Sequence, residues 1–205
     1  LDRVIAYIDG FNLYFGLRSK FGRRYYWLDL PGLAKNFLRE EQQLVGTHYF
    51  TARIRNNGFN DADARRQSNY IDALVAMGAQ IHEGHYLEKD RSCRGCGNTW
   101  KDYEEKMTDV NIAVQLLSDA FDDNFDTAFV VSGDSDLTTP IKRVLTRFPN
   151  KKIVVLFPPD RHSKQLKQTA SAFLSIGEHK LRTSQLQDPV FTASGHPLRR
   201  PAEWR

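Results

Sequence analysis

Cysteine is scarce in this chain, two in 205 residues. That is too few for the disulfide framework of a small secreted domain, so the expectation is a reducing, cytoplasmic setting. No run approaches the ~20 consecutive apolar residues that a membrane-spanning helix requires, so no membrane association is expected. The N-terminal LDRVIAYIDG lacks the basic segment, apolar core and small-residue cleavage site of a secretory leader and enters a strand pattern at once. Three further signatures are missing: a GxxxxGK[ST] phosphate loop, a GxGxxG after the first apolar run, and a GxSxG elbow. Their absence removes the ordinary nucleotide-binding and serine-hydrolase readings. Charge imbalance is small as well. A net charge of +4 raises the expectation of a polyanionic partner only slightly.

What is present is an alternation. Short apolar runs rich in β-branched and aromatic residues occur at Val4–Ile8, Tyr49–Ile54, Ala79–Ile81, Ala128–Val131 and Ile153–Phe157, each bounded by turn formers. Between them lie helical patterns. Asp61 to Met77 spaces Ala64, Ile71, Leu74 and Val75 as a helix does; Lys106 to Phe121 puts Val110, Ala113, Val114, Leu117 and Phe121 on one stripe; Leu137 to Leu145 is a shorter version. Strands alternating with helices predict an α/β fold of three α/β/α layers around a mostly parallel, Rossmann-like central sheet. The polar, glycine-bearing segment Arg91 to Tyr103 reads as a loop or small excursion. The main domain is expected to span residues 1–182, and 183–205, with Pro189, Pro197 and Pro201, to form an extended tail.

In parallel α/β sheets ligands bind outside the carboxyl ends of the strands. Asp9 directly follows VIAYI and Asp134 directly follows AFVVSG, so two buried strands would carry carboxylates to the same edge. Asp136 stands two residues later at a helix entry, and Asp109 near the start of the next amphipathic helix. Crowded like charges raise one another's pKa unless a cation intervenes. An oxygen-only ligand set suits Mg²⁺ or Mn²⁺ rather than zinc, and such ions promote in-line attack on a phosphodiester. The competing reading makes Asp136 and Asp109 simple helix caps; Asp9 and Asp134 are harder to read as caps. A haloacid-dehalogenase-like phosphatase would want a second aspartate two positions after Asp9, where Phe11 stands.

Three stretches, IDGFNLY, EEKMTDVNIAVQLL and VVSGDSDLTTPIKRV, resemble in that order the NYN domain family, specifically its LabA-type branch, within the PIN-like nuclease superfamily. The resemblance runs from about Arg3 to about Ile176. It implies a PIN-like fold and a metal-dependent endoribonuclease acting on single-stranded RNA, with Asp9, Asp109, Asp134 and Asp136 as catalytic metal-holding acids, Asn12 and Ser132 supporting them, and Lys106 of EKMTD as a phosphate contact. The alternatives are a non-catalytic RNA-binding module and a small-molecule phosphatase.

Cations around the acids would hold the RNA backbone. Arg53 and Arg55 end the second apolar run, Arg65 and Arg66 open the next helix, and FGRRYYW is a candidate groove wall. Phe11, Tyr14 and Phe15 are candidate base-stacking residues, with Phe11 and Phe15 fitting the core better. Cys93-Arg94-Gly95-Cys96-Gly97 has the form of a zinc knuckle but supplies half a ligand set. His82 and His85, or the same cysteines of a homodimer partner, would complete it.

Overall fold

The computed structural model describes residues 1–54 and 60–204; the side chains of residues 86–89 and 100–105 lie outside the description. Arg55, an expected substrate contact, falls outside the described residues. In chain order the elements are β1 (Asp2–Asp9), α1 (Gly10–Phe21), α2 (Leu30–Lys35), β2 (Gln42–Thr51), α3 (Asp61–Ala76), β3 (Gln80–Glu83), β4 (His85–Ser92), β5 (Thr99–Lys106), α4 (Thr108–Phe121), β6 (Thr127–Val131), α5 (Thr138–Arg147), β7 (Lys152–Phe157), α6 (Lys164–Thr169), β8 (Ala172–Ser175), α7 (Glu178–Thr183), β9 (Val190–Phe191) and β10 (Pro197–Leu198).

Six strands form one sheet in the order β3-β2-β1-β6-β7-β8, and every pairing in it is parallel. The side-chain alternation of β1 divides the interior. Val4, Ala6 and Ile8 join a core with Leu13 and Leu17 of α1, Leu30 and Leu33 of α2, and Ile71 and Leu74 of α3. Ile5 and Tyr7 face the opposite core, with Ile112 and Leu116 of α4, Ile141 and Val144 of α5 and Leu166 of α6. Both faces of the strand are covered, which is why its apolar run is continuous. The predicted three-layer α/β/α fold is the observed one.

Three expectations change. The stripe read on α4 faces outward: Val110, Val114 and Phe121 are exposed, while Ile112, Leu116 and Ala120 are buried. The helix is apolar on most of its circumference, so spacing alone fits two stripes. The segment read as a loop or small excursion is a regular β-hairpin, β4–β5, longer than expected and paired from His85–Lys106 at its base to Ser92–Thr99 at its tip. The C-terminal segment folds back on its own domain. Leu186, Val190, Leu198 and Trp204 belong to the first core, and Trp204 packs its ring against Tyr26, Trp27 and Tyr70. Tyr25, Tyr26 and Trp27 of the FGRRYYW stretch are correspondingly buried, leaving Arg23 and Arg24 exposed. No helix among the described residues is long and apolar enough to cross a membrane.

Candidate active site

The strand order reverses direction between β1 and β6. From β1 the chain builds outward through β2 and β3; from β6 it builds the other way through β7 and β8. A crevice opens at such a switch point, outside the carboxyl ends of the two strands. Asp9 is the last residue of β1, and Ser132-Gly133-Asp134 directly follow β6.

Asp9 is 3% exposed. Its Oδ1 accepts from the Asn12 backbone N–H at 2.9 Å, capping α1. Its Oδ2 accepts from the Ser132 hydroxyl at 2.8 Å. Ser132 Oγ in turn accepts from the Asp134 N–H at 3.0 Å, and Asn12 Oδ1 accepts from the Gly133 N–H at 2.9 Å. Asp134 caps the following 3-10 turn, its Oδ1 accepting from the Asp136 N–H at 2.9 Å. Asn12 and Ser132 therefore clamp the two strand ends together. Glycine is required at two points here: a Cβ on Gly10 would stand 2.6 Å from the Phe50 carbonyl oxygen, and one on Gly133 would stand 2.9 Å from the Arg161 backbone.

The capping roles are the reverse of those expected. Asp9 and Asp134 are N-caps, whereas Asp109 and Asp136 are first-turn residues whose helices start on Met107 and Asp134. Asp109 lies in the first turn of α4, which packs against the 3-10 turn Ser135–Leu137. No basic side chain pairs with Asp134 or Asp136 among the described residues.

The donors are all oxygens, which suits a hard divalent ion. Among the described residues no three His, Cys, Asp or Glu side chains converge into a ready metal cage. Mg²⁺ fits such a site, because it usually keeps several waters and takes one or two carboxylates together with substrate phosphate.

The expected cations are largely spent on other carboxylates. Arg53 binds Glu83 and the Ser68 hydroxyl, Arg65 faces Asp61, and Arg66 pairs with Asp63 and Glu203. Lys106 ends β5 rather than opening α4. Arg161, in the turn after β7, approaches the Ser132-Gly133-Asp134 segment through its main chain. Its backbone packs on Gly133 and its guanidinium lies 5.8 Å from the centroid of Phe15. Pro159 of the same turn packs on Gly16 of α1. Sequence reasoning passed over Arg161, although PPDR follows a buried strand at the same edge that singled out Asp9 and Asp134. Phe15, expected in the core, is 43% exposed and Tyr14 40%; the two rings meet edge to face at 5.3 Å.

The zinc ligands drawn from within the chain are not brought together. Cys93 lies beyond the hairpin tip and His85 at its base. Eight residues of strand separate them, ~26 Å at a rise of ~3.3 Å per residue. His82 is turned inward, its Nε2 at 2.8 Å from His48 Nδ1 and its ring stacked on Phe50. His48 itself approaches the buried Asp119 at 3.6 Å, and Asp119 also accepts from the Tyr7 hydroxyl at 2.7 Å. Burial, reinforced by the neighbouring Asp119 charge, pushes the Tyr7 phenol far up.

Comparison with known proteins agrees with this architecture. A curated relative is 25% identical and matches 98% of this chain and 75% of its own length: 6-hydroxy-3-succinoylpyridine 3-monooxygenase HspA of Pseudomonas putida. A solved structure of a protein of unknown function from Vibrio parahaemolyticus superposes with a TM-score of 0.59 at 22% identity, covering 90% of this chain and 96% of that one; it shares the fold. Residues 3–177 match the NYN domain. The chain belongs to the NYN domain family, whose members are generally nucleases.

Proposed function

We propose that this protein is a divalent-metal-dependent endoribonuclease of the LabA-type NYN branch that hydrolyses phosphodiester bonds of single-stranded RNA. The observation that carries the reading is the Asp9–Ser132–Asp134 chain of hydrogen bonds across the β1/β6 switch point. Asp134 and Asp136 would hold Mg²⁺ or Mn²⁺, with Asp9 and Asp109 completing the acidic site. The ion supplies an activated water and neutralises charge on the phosphate. The remaining work belongs to the chain. Ser132 and Asn12 fix the acids before substrate arrives, so little reorganisation is needed at the reaction. Arg161, whose backbone packs on Gly133 next to Asp134, would meet a phosphate oxygen, and Phe15 and Tyr14 would offer ring faces to unpaired bases. An exposed stacking platform favours single strands, whose bases are free to leave the helix stack.

The experiment is cleavage of labelled single-stranded RNA in Mn²⁺, alongside an Asp134→Asn/Asp136→Asn variant and a chelator control. Cleavage by the wild type alone, abolished by chelation, is expected. Equal cleavage by both proteins overturns the proposal. RNA retention without cleavage would instead indicate a binding module, and turnover of small phosphoesters a phosphatase. The monooxygenase relative, matched along nearly the whole chain, supports a second reading as an oxygenase acting on a hydroxylated pyridine. Substrate-dependent oxygen consumption in the same preparation separates the two.

A further inference from the structure

The β4–β5 hairpin ends in a tight turn that carries both cysteines of the chain, Cys93 and Cys96. The Cys93 sulfur lies over its own turn, 3.9 Å from where a Cβ on Gly95 would stand. The turn is closed by Gly97 N–H donating to the Cys93 carbonyl at 2.9 Å and by Cys93 N–H donating to the Asn98 carbonyl at 2.8 Å. Gly97 adopts φ +70°, a left-handed conformation that a side chain would strain. Two cysteines held in one such turn present their side chains to a common ligand.

The site is half-built. Zinc in a structural site takes four ligands, and no third His, Cys, Asp or Glu joins the pair among the described residues. Among the described residues the hairpin pairs with no other strand. Both cysteines are solvent-accessible. A two-fold axis through the tip would supply what is missing, because the same surface on a second copy would bring the same two sulfurs. Four thiolates leave the centre with a net negative charge, and the exposed Arg94 between the cysteines provides a compensating cation from each chain.

We propose that Cys93 and Cys96 form half of a tetrathiolate zinc site, completed by Cys93 and Cys96 of a second copy of this chain, so that zinc ties two molecules together at their hairpin tips. The thiols release their protons on binding, and no oxidant or reductant is involved. This proposal is independent of the nuclease reading.

The test uses the reduced full chain with zinc alone, measuring bound metal by elemental analysis and mass by sedimentation. The expected result is one ion per two chains, a dimer that chelator returns to monomer, and, with Co²⁺ in place of zinc, a tetrahedral spectrum with thiolate charge-transfer bands. Cys93→Ser and Cys96→Ser should each abolish zinc-dependent dimerisation while leaving the far-ultraviolet circular dichroism unchanged. One ion per chain in a monomer, no bound metal, a Cys93–Cys96 disulfide as the resting state, or metal-linked dimers in the serine variants would each overturn it.

Discussion

Ser132 Oγ stands 2.8 Å from Asp9 Oδ2 and 3.0 Å from the Asp134 amide nitrogen, so one hydroxyl donates to the first acid while accepting from the backbone of the second. Ser132 is fully buried. In Ser132→Ala the Asp9 carboxylate loses a donor in a dry place, which costs about 1–3 kcal/mol. Urea unfolding should show that loss, and RNA cleavage should fall with it. Unchanged stability would mean that water replaces the hydroxyl and that the clamp is dispensable.

The Arg161 turn is seated by Gly133, and a methyl there stands 2.9 Å from its backbone. Gly133→Ala should move the turn and cost about 1–3 kcal/mol by overpacking. Phe15→Ala leaves the turn in place but removes the ring face beneath the guanidinium. Its expected effect is roughly tenfold weaker binding of single-stranded RNA, in line with ~1–3 kcal/mol per stacked base. Fluorescence anisotropy in chelator, where no cleavage intervenes, measures it. Equal affinity for wild type and Phe15→Ala would remove this surface from the RNA path.

Burial holds the His48 imidazole down to about 4 from 6.5, with His82 adding to the effect and Asp119 opposing it; burial also lowers His82. The unfolded chain takes up a proton near pH 6.5 that the folded chain refuses until about pH 4. Stability is therefore complete above the upper value, falls through the window as pH drops, and levels off below it. The loss from His48 is on the order of 3 kcal/mol. Denaturant melts across that window should show the slope, and His48→Gln should flatten it. A wild type whose stability is constant from about pH 7 to about pH 4 would contradict this linkage.

Trp204 is the outermost anchor of the C-terminal segment, its ring centroid 5.5 Å from Tyr26 and 5.9 Å from Tyr70. Trp204→Ala should lower stability by about 3 kcal/mol, the low end for truncating a buried tryptophan, and expose 183–205 to proteolysis. A variant as stable and as protease-resistant as the wild type would show that the segment contributes nothing to the fold.

Much was legible before any coordinates. Continuous apolarity in VIAYI and AFVV marks strands covered on both faces, and an acid directly after each run marks the ligand edge, because both signals are local properties of the chain. The pairing of the hairpin was not legible because its strands are largely polar in sequence, so no apolar period betrays them. Which face of α4 packs inward was beyond reach because apolar residues occupy most of its circumference. Free arginines were not distinguishable from paired ones either, since Glu83 and Glu203 lie far from Arg53 and Arg66 in the chain.

Residue identity and local spacing determined the layers and the acids offered near the strand ends. Tertiary structure alone decided that β1 and β6 are neighbours, which is what lets Ser132 reach Asp9 across 123 positions of sequence. The same long-range packing turned the tail inward, brought Arg161 to Gly133, and sent the hairpin tip away from His82 and His85. Such contacts depend on which surfaces bury one another, and no periodicity within a segment records its distant partner.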